Sequence, residues 1–64
     1  MKLRDLEIHL KNHNCRFLRH GSRHDFWINS DNGSLAPVPR HREVKTYTAR
    51  NICRQLGIPQ PDKV

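Results

Sequence analysis

In the stretch Leu35-Ala36-Pro37-Val38-Pro39, two prolines stand two residues apart. Proline fixes φ and has no N–H to give. Such a stretch can neither continue a helix nor sit between two strands. Residues two apart in an extended chain point the same way, so both missing donors fall on one edge. The stretch is predicted to be a strand that pairs on one side only, the outer strand of an antiparallel meander. Asp31-Asn32-Gly33-Ser34, just before it, is a strong hairpin turn. That turn brings in His24 to Asn29, rich in aromatics and Ile, as the middle strand. Cys15 to His20 is the first strand, with Cys15 and Phe17 toward a core and Arg16 away from it. Gly21-Ser22 separates the first strand from the second.

Amphipathic helices bracket this sheet. Leu3, Leu6 and Leu10 form one helical stripe, and Asn14 suits the left-handed residue after its end. Ala49, Ile52, Cys53 and Leu56 form the second stripe. Thr46 or Thr48 is expected to cap its start. Gly57 and Ile58 are expected to close it with a Schellman-type end. Residues 59–64, with Pro59 and Pro61, read as a flexible C-terminal tail. The expected fold is α+β in the order α-β-β-β-α. Two helices cover one face of a three-stranded antiparallel sheet, and the single domain spans residues 1–58. Leu3, Leu6, Leu10, Phe17, Ile52 and Leu56 are expected in the core. Cys15 and Cys53 read as small buried hydrophobes, and one of Phe26 and Trp27 should join them.

A chain of 64 residues buries only about 60% of the surface it exposes when unfolded. A deep private cavity is therefore not expected, and any chemistry should lie on an open surface. Lys and Arg total 12 against 6 acids, and the cations are segregated. Ile8 to His24 holds no acid but carries Lys11, Arg16, Arg19 and Arg23 with His9, His13, His20 and His24. A second acid-free run, Asn32 to Arg42, ends in Arg40-His41-Arg42. Segregated basic runs point to a polyanion, nucleic acid before anything else. Two cysteines make no disulfide framework, and there is neither a signal-peptide pattern nor a membrane-length apolar run. A cytoplasmic protein with reduced thiols is expected, with no membrane partner.

Within His20-Gly21-Ser22-Arg23-His24-Asp25-Phe26-Trp27 the residue types suit RNA cleavage. Attack by a ribose 2′-hydroxyl needs a base, an acid for the departing 5′ oxygen, and positive charge at the phosphate. His24, at the start of a strand and beside a turn, fits either proton role. On the residues alone, a structural role for a single strand histidine comes first. Arg23 is within reach of a phosphate. Ser22 and the N–H groups of Gly21 and Ser22 are candidates for a small anion nest. Trp27 offers either a stacking face for a base or a core side chain. His20 and His41 are candidate second proton carriers, and His41 is also a candidate RNA contact. Arg16, Arg19, Arg40, Arg42 and Lys45 are the expected phosphate contacts. His9 and His13 have metal-like i, i+4 spacing, but nothing completes a site, so they read as helix surface.

The segments "MKLRDLEIHLKNHNCRFLR", "GSRHDFW", "PVPRH" and "ARNICRQLGIP", in that order, together resemble the HicA (YcfA-like) toxins of bacterial type II toxin–antitoxin pairs. The element order is similar to that of double-stranded-RNA-binding domains. The resemblance implies an mRNA-cleaving endoribonuclease with a single catalytic histidine, no metal and no cofactor. It also implies neutralisation by a HicB-like antitoxin. In the family the histidine lies early in the second strand, after Gly-Ser, with an aromatic three residues later. The spacing to Trp27 selects His24 over Arg23. Arg50 and Arg54 would then meet RNA or an acidic antitoxin. Two alternatives stay open: a module of the same fold that holds RNA without cutting it, and a DNA-contacting regulator.

Overall fold

The computed structural model describes residues 1–61. The chain runs α1 (Leu3–Asn12), β1 (Cys15–His20), β2 (His24–Asn29), β3 (Leu35–Pro39) and α2 (Thr46–Leu56). The strands form an antiparallel sheet in the order β1-β2-β3, so the proline-bearing strand is the outer one, as its missing donors require.

Both helix ends follow from local chemistry. Asn14, just past α1, has φ 64°, a conformation its short polar side chain tolerates. Gly57 has φ 71°. Its N–H donates to the Arg54 carbonyl and that of Ile58 to the Cys53 carbonyl, the bond pair of a Schellman end. The start of α2 differs from expectation. Lys45 is the flanking residue and gives no side-chain cap, so Thr46 is already helical.

The core takes Leu6 and Leu10 from α1 and Ala49, Ile52, Cys53 and Leu56 from α2. From the sheet come Cys15, Trp27, Ala36 and Val38, and Val44 joins from the loop before α2. The buried sheet residues share one face, so both helices lie on that side and the other face is open. Phe17 is not core. It is 41% exposed, because β1 is an edge strand and Trp27, directly opposite, fills the interior position. Its ring lies against that of His20, with centroids 4.8 Å apart. Next to it the β1–β2 register slips between Phe17 and Arg19. This is a bulge with Leu18 as the surplus residue. The slip puts Arg16 and Arg19 on the open face together and turns His20 to the helix side.

One buried polar residue secures α2. Asn29 is 3% exposed. Its Nδ2 donates to the Leu56 carbonyl at 2.8 Å, and its Oδ1 accepts from the Asp31 N–H at 2.8 Å. Asn32 Nδ2 reaches the same carbonyl at 3.2 Å. The last turn of α2 is thus tied to the β2–β3 turn. Asn29→Ala is expected to lower the unfolding free energy by about 1–3 kcal/mol, the cost of stranding buried polar groups. The measurement is a urea titration, read as a lower midpoint at unchanged slope.

The first residues are also pinned. Lys2 bridges Glu43, the Leu3 N–H donates to the Arg42 carbonyl, and the Val44 N–H donates to the Met1 carbonyl. The tail expected over 59–64 is described only to residue 61. His9 Nε2 donates to the Pro59 carbonyl at 2.7 Å, and Pro61 is buried. Residues 62–64 lie outside the described residues. Both cysteines are free and buried. Burial, helped by the neighbouring Cys15, pushes the Cys53 thiol up to about 11. Burial, with Asp31 nearby, raises that of Cys15. Both are protonated at neutral pH and chemically quiet.

Candidate active site

The β1–β2 turn is held by a clamp that begins at Asp25. Asp25 Oδ1 accepts from His20 Nδ1 and from Arg40 Nε, each at 2.8 Å. The hydrogen bond from His20, then that from Arg40, holds the Asp25 carboxyl below its ordinary range. The Arg40 Nη2 donates to the Gly21 carbonyl and, at 3.4 Å, to the His24 carbonyl. The Gly21 N–H donates to the same His24 carbonyl at 2.6 Å. One arginine from the end of β3 therefore fastens the turn and the first residue of β2.

Two expectations change here. The Gly21 N–H is spent inside the turn and cannot join an anion nest with Ser22. The Arg40 guanidinium is engaged by Asp25 and two carbonyls, so it works as a brace before it can serve as a phosphate contact. The turn also explains the glycine. A Cβ at position 21 would lie 2.7 Å from the His24 oxygen and 2.9 Å from Phe26 Cε2, so close approach excludes a side chain there.

His24 opens β2 opposite Pro39, and its side chain is exposed. Its ring makes no hydrogen bond among the described residues. A groove of about 580 Å³ runs from His24, Pro37 and Pro39 to α2, where Tyr47 and Asn51 line it. The loop before α2 adds His41, Glu43 and Lys45 to its wall. The groove is open, as the small core demands, and within the roughly 300–1,000 Å³ of ordinary ligand sites.

The other expected residues fall into distinct places. Arg16, Ser22 and Arg23 are exposed. Arg19 lies over the Phe26 ring, 4.3 Å from its centroid, on the open face that His24 shares. Lys45 and His41 reach the His24 groove, whereas Arg42 lines a separate hollow with Lys2, Arg4 and Glu7. Trp27 is only 3% exposed. It offers no face to a base, because the middle strand must fill the space under both helices. His20 is tied to Asp25 and faces the helix side. His9 and His13 stack with centroids 4.4 Å apart, and His13 Nδ1 donates to the His9 carbonyl. Among the described residues no three His, Cys, Asp or Glu side chains converge.

Sequence reasoning missed Asp25 and Tyr47. Asp25 is the acid that ends the long basic run, and its position opposite His20 was the available signal. Tyr47, 64% exposed, is an aromatic off the apolar stripe of α2, which sets it apart from the core.

Among the described residues the chain is a small basic α-β-β-β-α domain with two free imidazoles, His24 and His41, on an open groove and arginines on the bare sheet face. The comparison with known families makes this specific: the family described as the HicA toxin of bacterial toxin-antitoxin matches residues 3–58. The chain belongs to the HicA toxin family, and membership of a toxin–antitoxin family implies an antitoxin as partner. Comparison with curated proteins and with solved structures returned no match. No helix among the described residues is long and apolar enough to cross a membrane.

Proposed function

We propose that the protein is an endoribonuclease that cleaves mRNA, with His24 as a proton-transfer residue, and that a HicB-like antitoxin silences it by covering the groove. The observation that carries this reading is the exposed His24 ring on an open, cation-bearing groove in a chain of the HicA family. The neutral His24 imidazole takes the 2′-hydroxyl proton, and the 2′ oxygen attacks the adjacent phosphorus. The P–O5′ bond breaks, leaving a 2′,3′-cyclic phosphate and a 5′-hydroxyl. The attacking group comes from the RNA itself, so no metal-bound water and no cofactor is called for.

Lys45 within the groove, with Arg16, Arg19 and Arg23 on and beside the open face, supplies phosphate contacts, and Ser22 one more hydrogen bond. Such contacts hold the strand without reading its sequence. The reading implies work in the cytoplasm, where mRNA is found. The test is incubation of purified protein with mRNA in excess chelator. Fragments ending in cyclic phosphate are expected. Intact RNA bound by the protein would favour a binding module instead.

A further inference from the structure

Cleavage by the 2′-hydroxyl moves two protons, and His24 accounts for one of them. The departing 5′ oxygen needs the other. Of the remaining histidines, His9 and His13 are held on α1 by the bonds to Pro59 and His9. His20 is held by Asp25 on the helix side of the sheet. Only His41 lines the same groove as His24. Its side chain is exposed, and its ring makes no hydrogen bond among the described residues.

The backbone holds His41 close to His24. Pro39 is the cross-strand partner of His24, and His41 follows it by two residues. Its Cα is therefore within about 7 Å of the Pro39 Cα. The residue before it, Arg40, is bonded to the His24 carbonyl itself. The residue after it, Arg42, accepts the Leu3 N–H at 2.9 Å. His41 is thus a loop side chain with an anchor on either side, and one anchor is His24. In the groove it is faced by His24 from β2, by Tyr47 from α2, and by Glu43 and Lys45 of its own loop. The prolines of β3 bring no charge.

We propose that His41 is the general acid of the same reaction, so that the groove cuts RNA with a pair of imidazoles. This rests on the ribonuclease reading above. His24 takes the 2′ proton as the 2′ oxygen bonds to phosphorus. The His41 imidazolium gives its proton to O5′ as the P–O5′ bond breaks. His24 ends protonated and His41 neutral, and exchange with water resets both.

The test compares two mixed-sequence RNA substrates. One has ordinary linkages, and the other has sulfur in place of the bridging 5′ oxygen at one linkage. A thiolate leaves without a proton. His41→Ala and the bulkier His41→Gln are expected to slow cleavage of ordinary RNA by about 10²–10⁴-fold, yet to cut the sulfur linkage at close to the wild-type rate. His24→Ala should be slow on both. The assignment to His41 is overturned if its variants lose equally on both substrates, or lose nothing, or if the sulfur linkage rescues His24→Ala instead. Thermal unfolding of each variant separates these outcomes from misfolding, and His41→Gln serves if His41→Ala does not fold. Wild-type protein that cuts neither substrate removes the ribonuclease reading itself, and the acid role with it.

Discussion

His24→Ala is expected to end growth arrest on induced expression and to slow RNA cleavage by about 10²–10⁴-fold, while stability changes by no more than about 0.5 kcal/mol. The two effects separate because the residue has two independent parts. Its carbonyl accepts from the Gly21 N–H and from Arg40, and any amino acid supplies a carbonyl. Its ring is exposed on the groove and bonds to nothing among the described residues. Removing the ring therefore leaves the turn, the Arg40 brace and the β2–β3 ladder intact. The measurements are growth after induction, the integrity of total mRNA, and thermal unfolding of the purified variant. A folded variant as toxic as the wild type would move the chemistry away from His24. Two folded proteins that both bind RNA and leave it whole would favour the module that holds RNA without cutting it.

Trp27→Ala is expected to unfold the protein. Truncating a buried Trp costs about 3–5 kcal/mol, and a core of this size supplies roughly the same total. Trp27 lies in the middle strand, against Phe17 on one side and Ala36 on the other. No neighbouring strand can shift to close the hole, because Ala36 is too small and Phe17 sits at the edge. Trp27→Phe should behave differently. It keeps an aromatic ring in the core and removes an indole N–H that has no hydrogen-bond partner among the described residues. Part of the lost packing is thereby offset, since a buried donor without a partner is itself a cost. Urea titration of the two variants measures the contrast, with RNA affinity followed for whichever folds. If Trp27→Ala stayed folded and lost only RNA affinity, the ring would be a stacking platform after all.

The elements of the fold were legible because local chemistry dictates them. Pro37 and Pro39 force an outer strand, Asn14 and Gly57 end the helices, and the leucine and Ile-Cys-Leu stripes set the buried faces. What escaped was long-range. The Arg40 brace depends on a turn brought back by sheet pairing, and as a sequence residue Arg40 is only one more cation in a basic run. The exposure of Phe17 follows from its place on an edge strand opposite Trp27, and the face of Arg19 depends on a bulge that no glycine or proline announces. The cap of α2 was misread because two threonines looked adequate, while pairing of the preceding loop with residues 1–3 fixes where the helix starts. In the site, His24 is singled out by its spacing to Trp27 under the resemblance to the HicA family, since on the residues alone a structural role comes first. Its nearness to His41 needed the register of β2 with β3, which composition does not carry.

The surplus residue in β1 has a genetic consequence. Side chains alternate between faces along a strand, and Leu18 breaks that alternation once. Deleting Leu18 would restore it without moving any other side chain to the opposite face. Phe17 and Arg19 would become neighbours opposite Trp27 and Phe26, the partners they already have. Arg19 would stay on the open face and His20 opposite Asp25. A second residue lost from the strand has no surplus to draw on, and would turn every side chain beyond it to the other face. This strand is thus expected to tolerate the loss of one codon and not of two.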